Sequence, residues 1–484
     1  MKRWTWVLLL GCSSTKNVWG WLWTPQTWQE WEPYQIPVYP NAKTFSDTIQ
    51  VLEKKSPLVF AGECRRLTDM LGMASCGKAF VLTGGDCAET FRDFSVDKIR
   101  DDFRLLLRMA LLVMYAAGTP VIPIGRVAGQ FGKPRSMDWE TDDNTGLSLP
   151  VYRGDIINGV EFNEISRTPD PGRMLEAYHQ SAQTLNLLRA FLQGGMTNVE
   201  CLHTLNQEFV RREEEKNDSP PQVLEEYQRF LLEFERSFRF VKACLPQKDL
   251  VLRDFFTGHE CILLPYESAL CREDSITGRP YGCSAHFLWL GERTRKRDAA
   301  QVEFLRGIDN PIGIKLSHQT QIPELLDILE VLDPERKPGR LTLITRMGDH
   351  LGDTLPEIID QVRGAGHPVV WCCDPMHGNT RTLDKKQKTR FLTDIRNEII
   401  EFFRIHEEKG TFVGGIHLEM TSSDVAECVG GGLSPIDTRD VSSDRYESTC
   451  DPRLNGIQAI EIAFLLASLL TRQTTSDSFV NHVS

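Results

Sequence analysis

Basic residues are in deficit in this 484-residue chain: 55 Lys and Arg face 67 Asp and Glu, for a net charge of −12. A surface that neutralises nucleic-acid phosphates needs the opposite balance, so no nucleic-acid partner is expected. Cations that matter must be local, gathered in a pocket against an acidic exterior. No apolar run reaches the length needed to span a bilayer, so no membrane partner is expected either. Internal repeats and low-complexity tracts are absent, which leaves nothing to argue for a solenoid or a tether. The thirteen cysteines lack any recurring spacing. A chain this long needs no disulfide framework, so reduced thiols in the cytosol or an organelle are expected. Acids are missing before Glu30, whereas seven of the ten tryptophans fall within the first 31 residues. WTWVLLLGC (4–12), behind Lys2 and Arg3, is at most a short signal-like core. Residues 1–23 are read as an uncertain leader. Cytoplasmic residence is expected, with a plastid or other organelle as the alternative should that leader be a targeting peptide.

What the chain does have is eight short apolar runs. In order they are AFVLTGGDC (79–87), PVIPIGR (120–126), DFFTGHE (254–260), HFLWLGER (286–293), PIGIKL (311–316), LTLITRMG (341–348), PVVWCCDP (368–375) and TFVGGIHLE (411–419). Most are followed by a helical pattern, and eight buried parallel strands alternating with helices close into a (β/α)8 TIM barrel. Helical periodicity covers 96–118, 322–334, 355–366, 385–410 and 455–470. The segment 127–250, between strands two and three, is read as an insertion over or beside the barrel mouth. It carries a loop (127–170) and helices over 171–191 and 222–241, separated by a polar linker (211–222). The expected organisation is a leader (1–23), an N-terminal arm (24–78) with a short helix near 46–55, the barrel (79–472) and a tail (473–484).

In such barrels the chemistry sits where strands end, because side chains at that rim converge on one mouth. Here the ends carry Cys87, Arg126, Glu260, Arg293, Lys315, Arg346, His377 and Glu419, and Asp451 lies in the loop beyond the last strand. One thiol, one imidazole and two carboxylates (Cys87, His377, Glu419, Asp451) suit a divalent transition ion such as Mn²⁺, Co²⁺, Fe²⁺ or Zn²⁺ better than Ca²⁺. Arg126, Lys133, Arg135, Arg293, Lys315 and Arg346 would crowd positive charge around one mouth, which is costly without an anionic ligand. Two phosphates account for that number best. In the KPRS run, Pro134 holds Lys133 extended; Arg135 and the Ser136 hydroxyl can then take one phosphate while Lys133 faces a reacting centre. Glu260 and Glu292 can each orient water, act as acid or base, or hold arginines in place. For Glu292, beside Arg293, the last role is favoured.

These residues lie in motifs that carry a family resemblance. GGDCAETF, GRVAGQFGKPRS, LPVYRGDIINGVEF, CSAHFLWLGERTR, NPIGIK, PGRLTLITRMG, WCCDPMHGNT, KTRF, GGIHLEMT and CDPRLN resemble, in order, the class II (plant-type) 3-deoxy-D-arabino-heptulosonate 7-phosphate (DAHP) synthases. The likeness runs over about 22–472. It implies a transferase that condenses phosphoenolpyruvate with erythrose 4-phosphate and water, releasing phosphate, at the first step of the shikimate pathway towards chorismate and the aromatic amino acids. It implies a metal, Mn²⁺ first among the candidates, on Cys87, His377, Glu419 and Asp451. Phosphoenolpyruvate would meet Arg126, Arg293, Lys315 and Arg346, with Glu292 beside them. Erythrose 4-phosphate would meet Arg135 and Ser136, with Lys133 near its carbonyl and Glu260 positioning water. A homo-oligomer is expected. Departures from the family pattern are Pro123 for a usual Lys, Arg297, and Gln301 where a His is typical. The competing readings are a synthase acting on another sugar aldehyde and an inactive barrel serving as a regulatory partner.

Overall fold

The computed structural model describes residues 23–142, 145–216, 221–245, 250–383, 387–433, 435–442 and 444–480. The expected leader therefore lies outside the described residues, Trp23 excepted. Eight strands form the barrel: β1 Phe80–Gly85, β2 Val121–Arg126, β3 Phe256–Glu260, β4 Phe287–Leu290, β5 Ile312–Leu316, β6 Leu341–Thr345, β7 Val370–Cys373 and β8 Gly415–Glu419. All neighbours pair in parallel, and β1 pairs with both β2 and β8, which closes the sheet. The eight apolar runs thus become the eight strands of a TIM barrel. They were apolar throughout because each strand is covered on both faces.

Alternation along each strand decides which side chains reach the interior. Val81, Ile122, Ile124, Phe256, Phe287, Trp289, Ile344, Val370 and Cys372 fill it as one cluster. Leu82, Leu288, Ile314, Leu343, Ile416 and Leu418 pack outward with the helical layer. Continuing the inward series places Arg126, Glu260, Lys315 and Glu419 at the top. A register slip of one residue would turn all of them away. Gly85 stands level with both Arg126 and Glu419. Its φ is 144°, and a Cβ there would lie 2.9 Å from the Arg126 carbonyl, so only glycine lets these two side chains meet.

The outer helices are α1 Ala42–Glu53, α2 Ala61–Ser75, α3 Val96–Ala117, α4 Arg173–Gln193, α5 Val199–Lys216, α6 Pro221–Cys244, α7 Ala300–Gly307, α8 Ile322–Leu332, α9 Leu351–Gly364, α10 Leu392–Lys409 and α11 Gly456–Val480. Three of them escaped the sequence reading: α2, α5 and the short α7. In α2, Leu67, Leu71 and Ala74 join the cluster inside the barrel; its Gly62, Gly72 and Thr68 dilute the helical signal. In α5, His203, Asn206 and Glu213 are buried, so its inner face carries no clean apolar stripe, and the polar 211–216 is helix rather than linker. The helix expected from 385 begins only at Leu392, because Lys388–Phe391 is a strand.

The insertion divides its two tasks. Its helices α4 to α6 pack beside the barrel: Leu188, Val199, Leu202 and Phe234 cluster with Phe103 and Leu107 of α3, and Tyr227 stacks on Phe464 of α11 at 3.8 Å. Its loop borders the mouth.

Candidate active site

A cavity of about 380 Å³ opens at the C-terminal ends of the strands. Every residue singled out from the sequence lines it except Glu419, which lies fully buried beneath. The rim is shaped locally by another glycine. A Cβ on Gly291 would come within 1.8 Å of Glu260 Oε1, so the turn after β4 leaves room for that carboxylate.

Cys87, Glu419 and Asp451 each present one ligand atom, all within 4.8 Å of one another. Cys87 Sγ lies 3.9 Å from Asp451 Oδ2. His377 stands outside that trio but adjoins it, its Nε2 3.0 Å from Glu419 Oε1. Its Nδ1 is 2.7 Å from Asp374 Oδ2, the arrangement that fixes an imidazole and leaves Nε2 for a metal. Burial alone would raise the Glu419 carboxyl, but His377, Arg390 and Lys133 outweigh it and hold it well below the carboxylate range. Asp451 is also lowered; Lys133, Arg390 and Lys388 override its burial and the opposing charge of Glu419. Two ionised carboxylates beside a thiol and an oriented imidazole fit a divalent transition ion. The Lys133 ammonium sits among these donors, 2.7 Å from Cys87 Sγ and 2.5 Å from Asp451 Oδ2.

The cations lie at two depths. Arg126 is 3% exposed and Lys315 5%. Arg126 donates to the Asp86 and Cys87 carbonyls at 2.9 and 3.0 Å and to Glu419 Oε1 at 3.1 Å, and lies 5.3 Å from the Trp289 ring. Lys315 pairs with Asp374, and burial still draws its ammonium below the usual lysine range. Arg346 donates Nη2 to the His377 carbonyl at 3.0 Å, while its buried Nε has no hydrogen-bond partner among the described residues. Nearer the surface, Arg135 is half-buried, Ser136 and Arg293 are exposed, and Arg293 Nη2 donates to Ser136 Oγ at 2.8 Å. Arg293 therefore touches the outer group rather than the inner one.

The two acids differ. Burial raises the Glu260 carboxyl despite Lys133, Lys315, His377 and Arg126 nearby, and its Oε1 is buried without a hydrogen-bond partner among the described residues. Glu292 does hold an arginine, though not its neighbour: it accepts from Arg295 Nη2 at 2.8 Å and from the Ser317 hydroxyl at 2.9 Å. Three contributors went unnoticed in the sequence. Asp374 orients both His377 and Lys315, and Arg390 grips Glu419 Oε2 at 2.7 Å. Lys388 meets Asp451 Oδ1 at 2.8 Å. Asp374 did leave a trace, as the first charge after the run PVVWCC; KTRF held the other two without any mark of where they point.

The family model described as the class-II DAHP synthetase family matches residues 23–467. A phospho-2-dehydro-3-deoxyheptonate aldolase of Streptomyces coelicolor is 46% identical over 449 residues, 92% of this chain and 97% of that protein. The phospho-2-dehydro-3-deoxyheptonate aldolase AroG of Mycolicibacterium smegmatis is 42% identical over 428 residues, 87% and 89% of the two chains. Among solved structures, a truncated 3-deoxy-D-arabino-heptulosonate 7-phosphate synthase from Thermotoga maritima aligns with a TM-score of 0.34 and 10% identity over 83% of this chain and 88% of that one. That likeness is too slight to bear on the fold, which the strand pairing establishes by itself. The sequence matches are of another order, and this chain belongs to the class-II DAHP synthetase family.

Proposed function

We infer that the chain condenses phosphoenolpyruvate with D-erythrose 4-phosphate and water, giving 3-deoxy-D-arabino-heptulosonate 7-phosphate and phosphate at the first step of the shikimate pathway. The observation that carries this reading is one cavity holding a mixed metal-ligand cluster beside cations at two depths. Cys87, His377, Glu419 and Asp451 would hold the ion, Mn²⁺ in our reading. When bound, it supplies Lewis-acid polarisation of the aldehyde oxygen.

The buried group of Arg126, Lys315 and Arg346 takes the phosphate and carboxylate of phosphoenolpyruvate. Arg135 and Ser136, with Arg293 beside them, take the sugar phosphate. Holding two repelling phosphates on separate cations supplies orientation that free solution lacks. Lys133 delivers its proton to the aldehyde oxygen as the C–C bond forms. Glu260 orients the water that adds to the cationic carbon and accepts its proton, a role helped by the raised carboxyl. The C–O bond to phosphate then breaks and the ketone forms. Glu292 acts through Arg295 and Ser317 rather than on substrate. No described helix is long and apolar enough to cross a membrane, and cytoplasmic residence as a homo-oligomer belongs to the same reading.

The test is phosphate release from phosphoenolpyruvate with erythrose 4-phosphate and, in parallel, with other aldose phosphates. Release fastest with erythrose 4-phosphate supports the assignment. Faster release with a longer aldose phosphate would favour a synthase of another sugar, and no release with any would favour a non-catalytic barrel.

A further inference from the structure

The N-terminal arm has no part in this chemistry, yet one of its side chains reaches the loop that holds the outer cations. The arm is fastened along α7 and the loop before it. Ala300 N donates to the Glu32 carbonyl at 2.9 Å, Gln301 Nε2 donates to the Tyr34 carbonyl at 2.6 Å, and the Lys296 ammonium lies 4.4 Å over the Tyr34 ring. At the next residue, Gln35, φ is 65°, a left-handed conformation that is uncommon for residues with a Cβ. The bend aims its side chain at the mouth. Gln35 Oε1 accepts from Arg135 N and from Arg153 Nη1, both at 2.8 Å. Arg153 in turn accepts at its carbonyl from Lys133 N at 2.9 Å, and its guanidinium pairs with Asp138. One amide oxygen thus ties the 133–136 run to the 150–154 segment alongside it.

We propose that Gln35 is a positioning residue for the aldose-phosphate half of the site: by fixing the Arg135 backbone it sets where the Arg135 guanidinium and the Ser136 hydroxyl meet the phosphate. This rests on the assignment of Arg135 and Ser136 to the sugar phosphate. Among the described residues no hydrogen bond joins Gln35 to Arg126, Lys315 or Arg346, so its effect should fall on one substrate only.

The test compares Gln35→Met, close in shape but without an acceptor, Gln35→Glu, which keeps an oxygen able to accept both bonds, and Arg135→Ala, all as full-length enzyme at saturating Mn²⁺. Losing two hydrogen bonds should raise the KM for erythrose 4-phosphate about tenfold in Gln35→Met and leave the KM for phosphoenolpyruvate within about twofold. Gln35→Glu should restore the erythrose 4-phosphate KM to within about threefold of the parent. A purely structural role would move both KM values together, or leave the two Gln35 variants alike, and either result overturns the proposal. If Arg135→Ala raises the erythrose 4-phosphate KM while Gln35→Met does not, the Gln35 inference alone falls. If Arg135→Ala leaves that KM unchanged, the phosphate assignment falls, and the inference with it.

Discussion

Lys133 stands where two demands meet. Its ammonium bridges Cys87 and Asp451, the same donors a divalent ion needs, and those charges raise its proton affinity well above the lysine norm in spite of burial. Lysine and ion would therefore compete for the cluster. Lys133→Met should bind Mn²⁺ more tightly than the parent in equilibrium titration while its kcat falls by about 10²- to 10⁴-fold, the usual weight of a proton donor. Weaker metal binding in that variant would show that the ammonium supports the cluster instead of competing with it. At this scale the sequence revealed identity more readily than partnership. Residues ending apolar runs, such as Lys315 and Glu419, stood out because a charge there has no place in a buried strand. Arg390 and Gln35 did not, since their partners are set by tertiary contacts between distant segments; Asp374 also ends an apolar run, but gave no sign of the two side chains it orients. Glu292 was expected to hold an arginine, and the one it reaches lies three residues on, across a turn.

Among elements, the loops after β6 and β7 must stay in register for Arg346 and His377 to face one cavity. Glu398 of α10 joins them: its carboxyl accepts from Met347 N at 3.0 Å, Gly348 N at 2.9 Å and Asn379 Nδ2 at 2.7 Å. Burial pushes this carboxyl from 4.5 up to about 7. Folding therefore favours its protonated form, so its contribution is full below pH 4.5 and is lost as pH rises to about 7. The shift amounts to about 3 kcal/mol. Glu398→Gln cannot ionise, so over that interval its unfolding free energy should fall less with pH than the parent's, by about 3 kcal/mol in denaturant titrations. Parallel profiles would contradict this. The strands were readable because both their faces are buried. Helix α5 was not, because polar side chains occupy its inner face, and the Lys388–Phe391 strand was not, because a lysine- and arginine-bearing run beside a helix continues its pattern.

For the whole molecule, the acidic balance noted at the outset is reconciled with an anion-binding task by sequestering cations at one barrel mouth. The closed sheet makes this possible, since eight strand ends separated by hundreds of residues share a single rim. Cys87 and Asp451, two of the proposed ligands, are 364 residues apart in the chain and were legible as a pair through their places beyond strand ends and through the family's motifs, never through spacing. We propose that condensation depends on one divalent ion held by four such side chains. The most direct test is phosphate release after complete metal removal, followed by back-titration with Mn²⁺. Negligible turnover is expected without metal, with recovery saturating at one equivalent per chain and no recovery at that level in Asp451→Asn. Full turnover by demonstrably metal-free enzyme would contradict it.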